Sequence, residues 1–296
     1  MRRASRGKRI ALTDRDIEIF KCLGRYRYLR STYIHAFVGG ASATRFKERL
    51  GDLFHEGYLN RPNQQWQFAN ARYMPTVYEL GVGATRILSE CEGAANDART
   101  FLAATAHRQF LHSRMICEVL ASLELGVRAA PSLRFIAWPE ILGRGPEATR
   151  SSLTPFRLPL PSGAHLVPDG LFGIEYAQEG AKAYRFFALE ADRGTMPVAR
   201  SNPNQTSYLG KLAAYREIIS GQVHKTHLGI PNLLVLTVTT SPTRIREVIR
   251  QMGGQATGMA PFLFKAVSPA DLVRPAPRLL FEPWERSGLL PLRIDE

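Results

Sequence analysis

Three carboxylates in the second half of the chain stand at spacings that suit metal chemistry. Asp169 follows one apolar run, and Glu190 and Asp192 end another. Side chains two apart on a strand project from one face, so Glu190 and Asp192 would lie together, and a paired strand would bring Asp169 opposite them. Such a cluster repels itself unless protons or a cation neutralise it, and hard oxygen ligands suit Mg²⁺ or Mn²⁺. We therefore take Asp169 and Glu190 as candidate metal ligands.

The elements that must position these carboxylates alternate between strands and helices. Residues 165–172 and 184–192 are predicted strands, paired through a turn at 178–180. The other predicted elements are a short strand ending at 138–142, a helix over 208–219 bearing Lys211, a strand over 233–239, a helix over 242–252 and a strand over 262–266. This order predicts an α/β/α arrangement.

The acidic residues resemble the core of the PD-(D/E)xK nucleases, whose motif is Pro-Asp, a hairpin, then Glu-x-Lys. Pro168-Asp169 and Glu190-Ala191-Asp192 match this pattern, except that Asp192 stands where the lysine is expected. The resemblance implies that acids bind a metal while a lysine orients water and stabilises charge. Lys211 could replace that lysine in space, and Glu140 could match an upstream acid.

Two alternatives follow from this resemblance. If the domain is active, its catalytic residues are Asp169, Glu190, Asp192 and Lys211, with Mg²⁺ or Mn²⁺ as cofactor. We favour a non-cleaving, structural version of the fold, because a third acid adds negative charge where a cation is expected. On this interpretation the protein is not an enzyme and needs no cofactor to bind its partner.

The charge of the chain indicates a polyanionic partner. The 296 residues carry a net charge of +13 at pH 7, and residues 1–61 alone carry +8, with 14 Lys and Arg against 6 Asp and Glu. Such a surplus attracts nucleic acid. Three scattered cysteines argue against a disulfide framework or a cysteine zinc cluster. No apolar run is long enough to span a membrane, so we expect no membrane partner and a cytoplasmic location.

The first part of the chain is predicted to be a winged helix-turn-helix. Thr13 followed by acidic residues marks a helix start, a second helix is predicted over 31–38, and a third begins at Ser42 after Gly39-Gly40. The apolar seam of the third helix comprises Phe46, Leu50, Leu53 and Phe54. A strand follows Gly57, residues 62–73 are the predicted wing, 73–80 the returning strand and 83–90 a further helix.

The third helix is predicted to contact duplex DNA. Its outward residues suit base edges and phosphates, and they are Ser42, Thr44, Arg45, Lys47 and Arg49. Arg61 leads into the wing, whose polar residues are predicted to reach the backbone or minor groove: Asn63, Gln64, Gln65 and Arg72. The basic arm before the domain adds Arg2 and Arg3. Winged helices also serve as protein-interaction modules, so a scaffold without DNA affinity is an alternative.

The whole arrangement resembles the replication-relaxation family of bacterial plasmid and mobile-element proteins. The matching segments are 12–16, 54–59, 168–170, 189–195 and 211–215, which together span about residues 11–240. The resemblance implies DNA binding linked to replication, transfer or transcriptional control of a plasmid or mobile element. It also implies a bacterial protein associated with the nucleoid or a plasmid. Partners would be double-stranded DNA, a second copy of the chain in a homodimer, and relaxosome, replication or transcription proteins.

These expectations define a mixed α+β or α/β chain of four parts. Residues 1–10 form a basic arm, 11–92 a winged-helix DNA-binding domain, 93–130 a helical connector and 131–296 a PD-(D/E)xK-like domain. The leading function is sequence-specific binding of double-stranded DNA as a regulator or accessory factor. The alternative is a metal-dependent DNA endonuclease or nickase directed by the winged helix.

Overall fold

A computed structural model of the protein describes residues 7, 10–40, 42–68, 70–91, 109–178, 181–194, 197–198, 207–252 and 258–296. Arg2 and Arg3, residues 93–108 of the predicted connector and residues 179–180 of the predicted turn lie outside the described residues. The chain has a mixed α+β fold and divides into two compact units. The first unit holds residues 1–121 and 272–275, and the second holds 122–271 and 276–296.

The helices of the first unit begin and end close to where the sequence predicts them. They are α1 (Asp14–Arg25), α2 (Ser31–Val38), α3 (Ala43–His55) and α4 (Val82–Cys91), followed by the first part of α5 (Phe110–Arg128). Thr13 and Asp16 form a reciprocal capping box at the start of α1, which satisfies two backbone N–H groups that the helix leaves unpaired. Gly39 ends α2 with a φ of 68°, a conformation that costs glycine little.

The apolar seam predicted for α3 is confirmed, because all four of its members are buried: Phe46, Leu50, Leu53 and Phe54. They fall on one helical face, and Ile19, Phe20 and Leu23 of α1 are buried as well. Burying a large apolar side chain contributes about 1.5–3 kcal/mol relative to leaving it exposed. Packing of these seams, more than helix propensity, therefore stabilises the first unit.

A small antiparallel sheet completes the first unit. Its strands β1 (Leu29–Arg30), β2 (Leu59–Asn60) and β3 (Val77–Leu80) are ordered β1-β3-β2. The returning strand predicted over 73–80 is shorter than expected and begins at Val77. Two 3₁₀ helices, Asn63–Gln67 and Ala71–Tyr73, occupy the predicted wing.

The second unit is built on a seven-stranded mixed sheet. Its strands are β4 (Leu133–Ala137), β7 (Gly170–Gln178), β8 (Ala181–Asp192), β9 (Leu234–Thr239), β10 (Phe262–Ala266), β11 (Trp284–Arg286) and β12 (Leu289–Leu292). They are ordered β12-β11-β10-β9-β8-β7-β4 across the sheet. The predicted antiparallel pairing of the two acidic strands is confirmed. The bounds predicted for the first of them, 165–172, are wrong, because β7 begins at Gly170 and residues 165–166 form a separate short strand. Strands β8, β9 and β10 are parallel, which places their carboxyl ends along one edge.

The second unit also contains a two-stranded ribbon and a series of helices. The ribbon pairs β5 (Leu158–Pro159) with β6 (His165–Leu166). The helices that follow α5 are α6 (Trp138–Arg144), α7 (Glu147–Arg150), α8 (Tyr208–Ser220), α9 (Val223–Leu228), α10 (Pro242–Gln251) and α11 (Arg278–Phe281). The strand end predicted at 138–142 is wrong: β4 stops at Ala137 and these residues form α6. Pro139 lies in its first turn, where a missing N–H costs nothing.

Candidate nucleic-acid interface and carboxylate cluster

The amino-terminal half of α3 presents an exposed polar and basic face. Thr44, Arg45 and Lys47 are all exposed, while Phe46 between them is buried. Ser42 lies at the N-cap, where its hydroxyl accepts a hydrogen bond from the backbone N–H of Arg45 at 3.2 Å. The helical period therefore leaves three of the five predicted α3 contacts free of the core, while Ser42 stabilises the helix start.

Arg49 has a different role from its neighbours on α3. Its Nε donates to Asp16 Oδ1 at 2.9 Å and its Nη2 donates to the carbonyl of Ala11 at 2.8 Å. Burial tends to raise the pKa of Asp16, but the hydrogen bonds from Arg49 and Thr13 outweigh it, so the pKa is lowered. Arg49 thus ties α3 to the capping box of α1.

Arg61 is likewise engaged within the first unit. Its guanidinium carbon lies 4.2 Å from the ring centroid of Phe54 and 5.1 Å from that of Tyr78, and Nη2 donates to the Tyr78 hydroxyl at 2.9 Å. The attraction between the guanidinium and these two ring faces therefore holds the Arg61 side chain inside the unit.

The predicted wing combines exposed and buried polar side chains. Asn63, Gln64 and Arg72 are exposed, and Tyr73 is 88% exposed. The prediction that Gln65 reaches DNA is wrong, because its side chain is buried. Its amide accepts from the N–H of Val77 at 2.9 Å and donates to the Val77 carbonyl at 3.1 Å. This mimics a strand neighbour, so Gln65 anchors the segment to β3.

A basic cleft of about 520 Å³ lies beside the start of α3. Its lining residues come from α1, α3 and their caps: Thr13, Arg15, Asp16, Ile19, Ser42, Arg45, Phe46 and Arg49. The Arg15 guanidinium donates to the Gly39 carbonyl and lies 5.0 Å from the ring centroid of Phe46. Three arginines against one aspartate give the cleft a positive potential. Arg15 was not identified from the sequence, because its spacing on α1 resembles that of any solvated helix residue.

The second unit brings the predicted acidic residues into its interior. Gly170 pairs with Leu189 across the hairpin, so Asp169 lies next to Glu190, and Asp169 Oδ2 accepts from the N–H of Ala191 at 3.0 Å. Asp169, Glu190 and Asp192 are all buried. Glu190 and Asp192 lie at the carboxyl end of β8, where sites of α/β sheets commonly form.

Lys211 of α8 reaches the same cluster. Its Nζ forms an ion pair with Glu190 and lies 3.9 Å from Asp169 Oδ2. Tyr215, one helical turn later, donates its hydroxyl to the other Glu190 oxygen. Burial raises the pKa of Glu190 to about 7; the charge of Asp169 adds to the effect and Lys211 opposes it. The basic side chain predicted to converge on the two carboxylates is therefore present.

Asp192 has a separate cationic partner. Arg244 of α10 donates from Nε to Asp192 Oδ2 at 2.7 Å, and the N–H of Gly194 donates to Oδ1 at 2.8 Å. Arg244 was not identified from the sequence, because no local pattern links the start of α10 to the end of β8. Glu140, considered as an upstream acid, is bound to Arg134 and Arg144 instead.

Tyr208 lies close to the three carboxylates. Its hydroxyl is hydrogen-bonded to Thr237 Oγ1 at 2.5 Å. Burial raises the pKa of Tyr208 well above its ordinary value, with further upward contributions from Glu190, Asp192 and Asp169. The hydroxyl therefore stays protonated and adds no further negative charge to the cluster.

The cluster as folded has its carboxylates bound by groups of the chain itself. Each of its carboxylates already accepts hydrogen bonds from the chain, and the positive charge comes from Lys211 and Arg244. In the part of the chain that is described, no group of three or more His, Cys, Asp or Glu side chains is arranged to hold a metal ion. A Mg²⁺ ion keeps several waters when few carboxylates bind it, and these acids are almost wholly buried.

Comparison with known families decides where the chain belongs. The family model described as replication-relaxation matches residues 20–234. This range includes α3, the three carboxylates of the cluster and Lys211, but not Arg244. The chain belongs to the replication-relaxation family. This membership points to a role in the replication or relaxation of a plasmid or mobile element. Neither a search of curated proteins nor a search of solved structures found a match.

The described helices carry no membrane-spanning segment: none of them is both long enough and apolar enough to cross a bilayer.

Proposed function

We propose that the protein binds double-stranded DNA through a winged-helix domain in its first unit, with α3 as the reading helix. The observation that carries the proposal is the exposed face of Thr44, Arg45 and Lys47 on a helix whose opposite face is buried. A helix of this kind fits a major groove, where arginine reads guanine and lysine contacts phosphate. Gln64 and Arg72 would reach the backbone from the predicted wing.

Two of the predicted DNA contacts have a smaller part in this proposal. Arg49 and Arg61 are held by Asp16 and by the Phe54 and Tyr78 rings, so moving them onto DNA would break contacts inside the unit. We assign both a supporting role for the reading helix. In the cell, the protein would use sequence-specific binding to act as a regulator or accessory factor in plasmid or mobile-element replication or relaxation.

The test is equilibrium binding of the full chain to a fluorescent duplex over a series of salt concentrations. The double variant Arg45→Ala/Lys47→Ala should bind more weakly, and the log–log salt slope should fall by roughly 0.9 for each phosphate that the variant no longer neutralises. Arg86→Ala is the matched control, because Arg86 is an exposed arginine on α4 whose side chain is 76% accessible. Equal affinity of the double variant and the control would refute the reading helix.

Sequence specificity needs its own measurement. Selection of bound duplexes from a randomised library should enrich a motif with the unaltered protein. Thr44→Ala/Arg45→Ala should lose part of that motif, since each good bidentate base contact is worth about 1–3 kcal/mol of discrimination. Enrichment of the same motif by this variant would assign the specificity to another part of the chain.

A second candidate function is DNA cleavage, favoured by the convergence of Lys211 on Asp169 and Glu190. It would require Lys211 to release Glu190. Supercoiled plasmid incubated with Mg²⁺ or Mn²⁺ should then be nicked by the unaltered protein and left intact by Asp169→Asn. Glu147→Gln is the active control, because Glu147 is exposed on α7. We favour the non-cleaving interpretation, which expects intact plasmid with every protein and both metals.

A further inference from the structure

A second basic cavity lies on the other side of α3. It has a volume of about 340 Å³ within the first unit, and its lining residues are Ser31, Thr32, His35, Ala43, Phe46, Lys47, Arg274 and Pro275. Lys47 and Arg274 are cationic, and this lining contains no carboxylate. An anion held between these two exposed side chains would therefore meet two cations and no carboxylate among the lining residues.

Hydrogen bonds to its backbone fix the position of the segment that carries Arg274. Residues 272–275 belong to the first unit although they follow most of the second in sequence. The hydroxyl of Tyr33, which is fully buried, lies 3.1 Å from the Leu272 carbonyl and 3.0 Å from the Arg274 carbonyl. Thr32 Oγ1 donates to the Val273 carbonyl at 3.0 Å. These bonds hold the segment against α2 while the Arg274 side chain stays exposed.

The two cavities flank the same stretch of α3. Arg45 lines the cleft that contains Arg15, Lys47 lines the cavity that contains Arg274, and Phe46 lines both. A helix lying in a major groove has a phosphate backbone on each side, so basic groups on both flanks of its exposed face can reach the two strands.

We propose that the Lys47–Arg274 cavity binds a backbone phosphate of duplex DNA, on the strand opposite to the one contacted from the Arg15–Arg45 cleft. The inference rests on the proposed function and extends it, because it makes Arg274 a DNA-binding residue. The guanidinium fork of Arg274 suits two phosphate oxygens, and the Lys47 ammonium adds a point charge. The serine and threonine hydroxyls at the start of α2 add polar lining.

The first arm of the test is the salt dependence of binding of the full chain to one fixed duplex. Arg274→Ala should weaken binding several-fold and lower the log–log slope by about 0.9, the value for one phosphate contact. Arg274→Lys keeps the charge and should retain most of the slope. Arg278→Ala is the matched control, since Arg278 is half-exposed on α11 and paired with Asp271. Thermal unfolding of each variant checks that the backbone bonds to Tyr33 survive.

The second arm is phosphate ethylation interference on the same duplex. Arg274 contacts the phosphate whose ethylation prevents binding of the unaltered protein but does not affect binding of Arg274→Ala. It should lie on the strand opposite to the phosphate identified in the same way with Arg15→Ala.

The outcomes separate the two proposals. If Arg45→Ala/Lys47→Ala lowers the slope while Arg274→Ala behaves as Arg278→Ala, the role of Arg274 is overturned and the reading helix stands. If both phosphates fall on one strand, the two-sided geometry is overturned. If the unaltered protein does not bind duplex DNA, the proposed function fails and this inference fails with it.

Discussion

Lys211 and Glu190 form a buried ion pair that joins α8 to β8 in the second unit. The Lys211 side chain is 21% exposed, whereas that of Glu190 is 2% exposed, and the ammonium also approaches Asp169. Two carboxylates that the sequence presents as metal ligands thus share one cation that the chain itself supplies. The physical consequence is that removing Lys211 leaves uncompensated negative charge in a region of low dielectric.

Loss of the lysine charge should destabilise the second unit strongly. Lys211→Met leaves Glu190 and Asp169 without their cation, and breaking a buried pair in this way costs about 3–5 kcal/mol. Urea unfolding measures the free energy of unfolding, with Lys225→Met as control because Lys225 is exposed on α9. A decrease below about 1 kcal/mol would contradict a structural role for the pair.

Stability should depend on pH through Glu190. Burial raises its pKa from 4.5 to about 7, so the folded state binds this proton more tightly than the unfolded state. Between these two values the free energy of unfolding should fall as pH rises, by an amount on the order of 3 kcal/mol. Melting temperatures across this range should decline for the unaltered protein. Glu190→Gln cannot titrate and should flatten the decline, and an unchanged profile would refute the assignment.

Arg49 should behave as a stabilising residue of the first unit. Arg49→Ala removes charge-assisted hydrogen bonds to Asp16, worth about 1.5–3 kcal/mol, and should leave the DNA salt slope unchanged. The lowered pKa of Asp16 contributes stability that is present above its ordinary value of 3.8 and is lost as pH falls through the folded value. The variant should therefore also lose acid resistance in unfolding measurements. A reduced salt slope would instead restore Arg49 to the DNA interface.

Another buried ion pair lies in the first unit, where Arg30 Nε is 2.6 Å from Glu118 Oε1. Burial raises the pKa of Glu118, and Arg30 and Arg114 oppose the shift. Glu118→Ala should cost about 3–5 kcal/mol in urea unfolding, whereas Arg30→Met/Glu118→Leu should recover much of this stability because it removes both charges. Glu90→Ala, at an exposed acid of α4, is the control. A double variant no better than the single one would show that packing, and not charge, is the cause.

Local patterns sufficed for most of the secondary structure. The capping signal at Thr13, the seam of α3 and the apolar runs of β8, β9 and β10 depend on neighbours in sequence, and the structure confirms them. The error at residues 138–142 arose because Trp, Ile and Leu suit either a strand or a buried helix. For such short apolar runs, periodicity cannot distinguish the two.

The roles of the polar residues were harder to predict. Arg45 and Arg49 are both arginines on α3, yet Arg49 is the one that meets a buried carboxylate from α1. The sequence predicts that Gln65 is a solvated wing residue, but in the structure its amide pairs with the backbone of Val77 in β3. The partners of these side chains are tens of residues away in sequence. Chain topology decides which of them come together, and no local spacing rule predicts it.

From the sequence alone came the basic surplus, its concentration in residues 1–61, the mixed helix and strand pattern and the family resemblance. Composition and periodicity determine these, because they are sums or local repeats. Tertiary structure decided that Lys211 neutralises Glu190, that Arg244 holds Asp192 and that Arg274 lies beside Lys47. Electrostatic interactions depend on distance and burial, and only the folded chain sets either quantity.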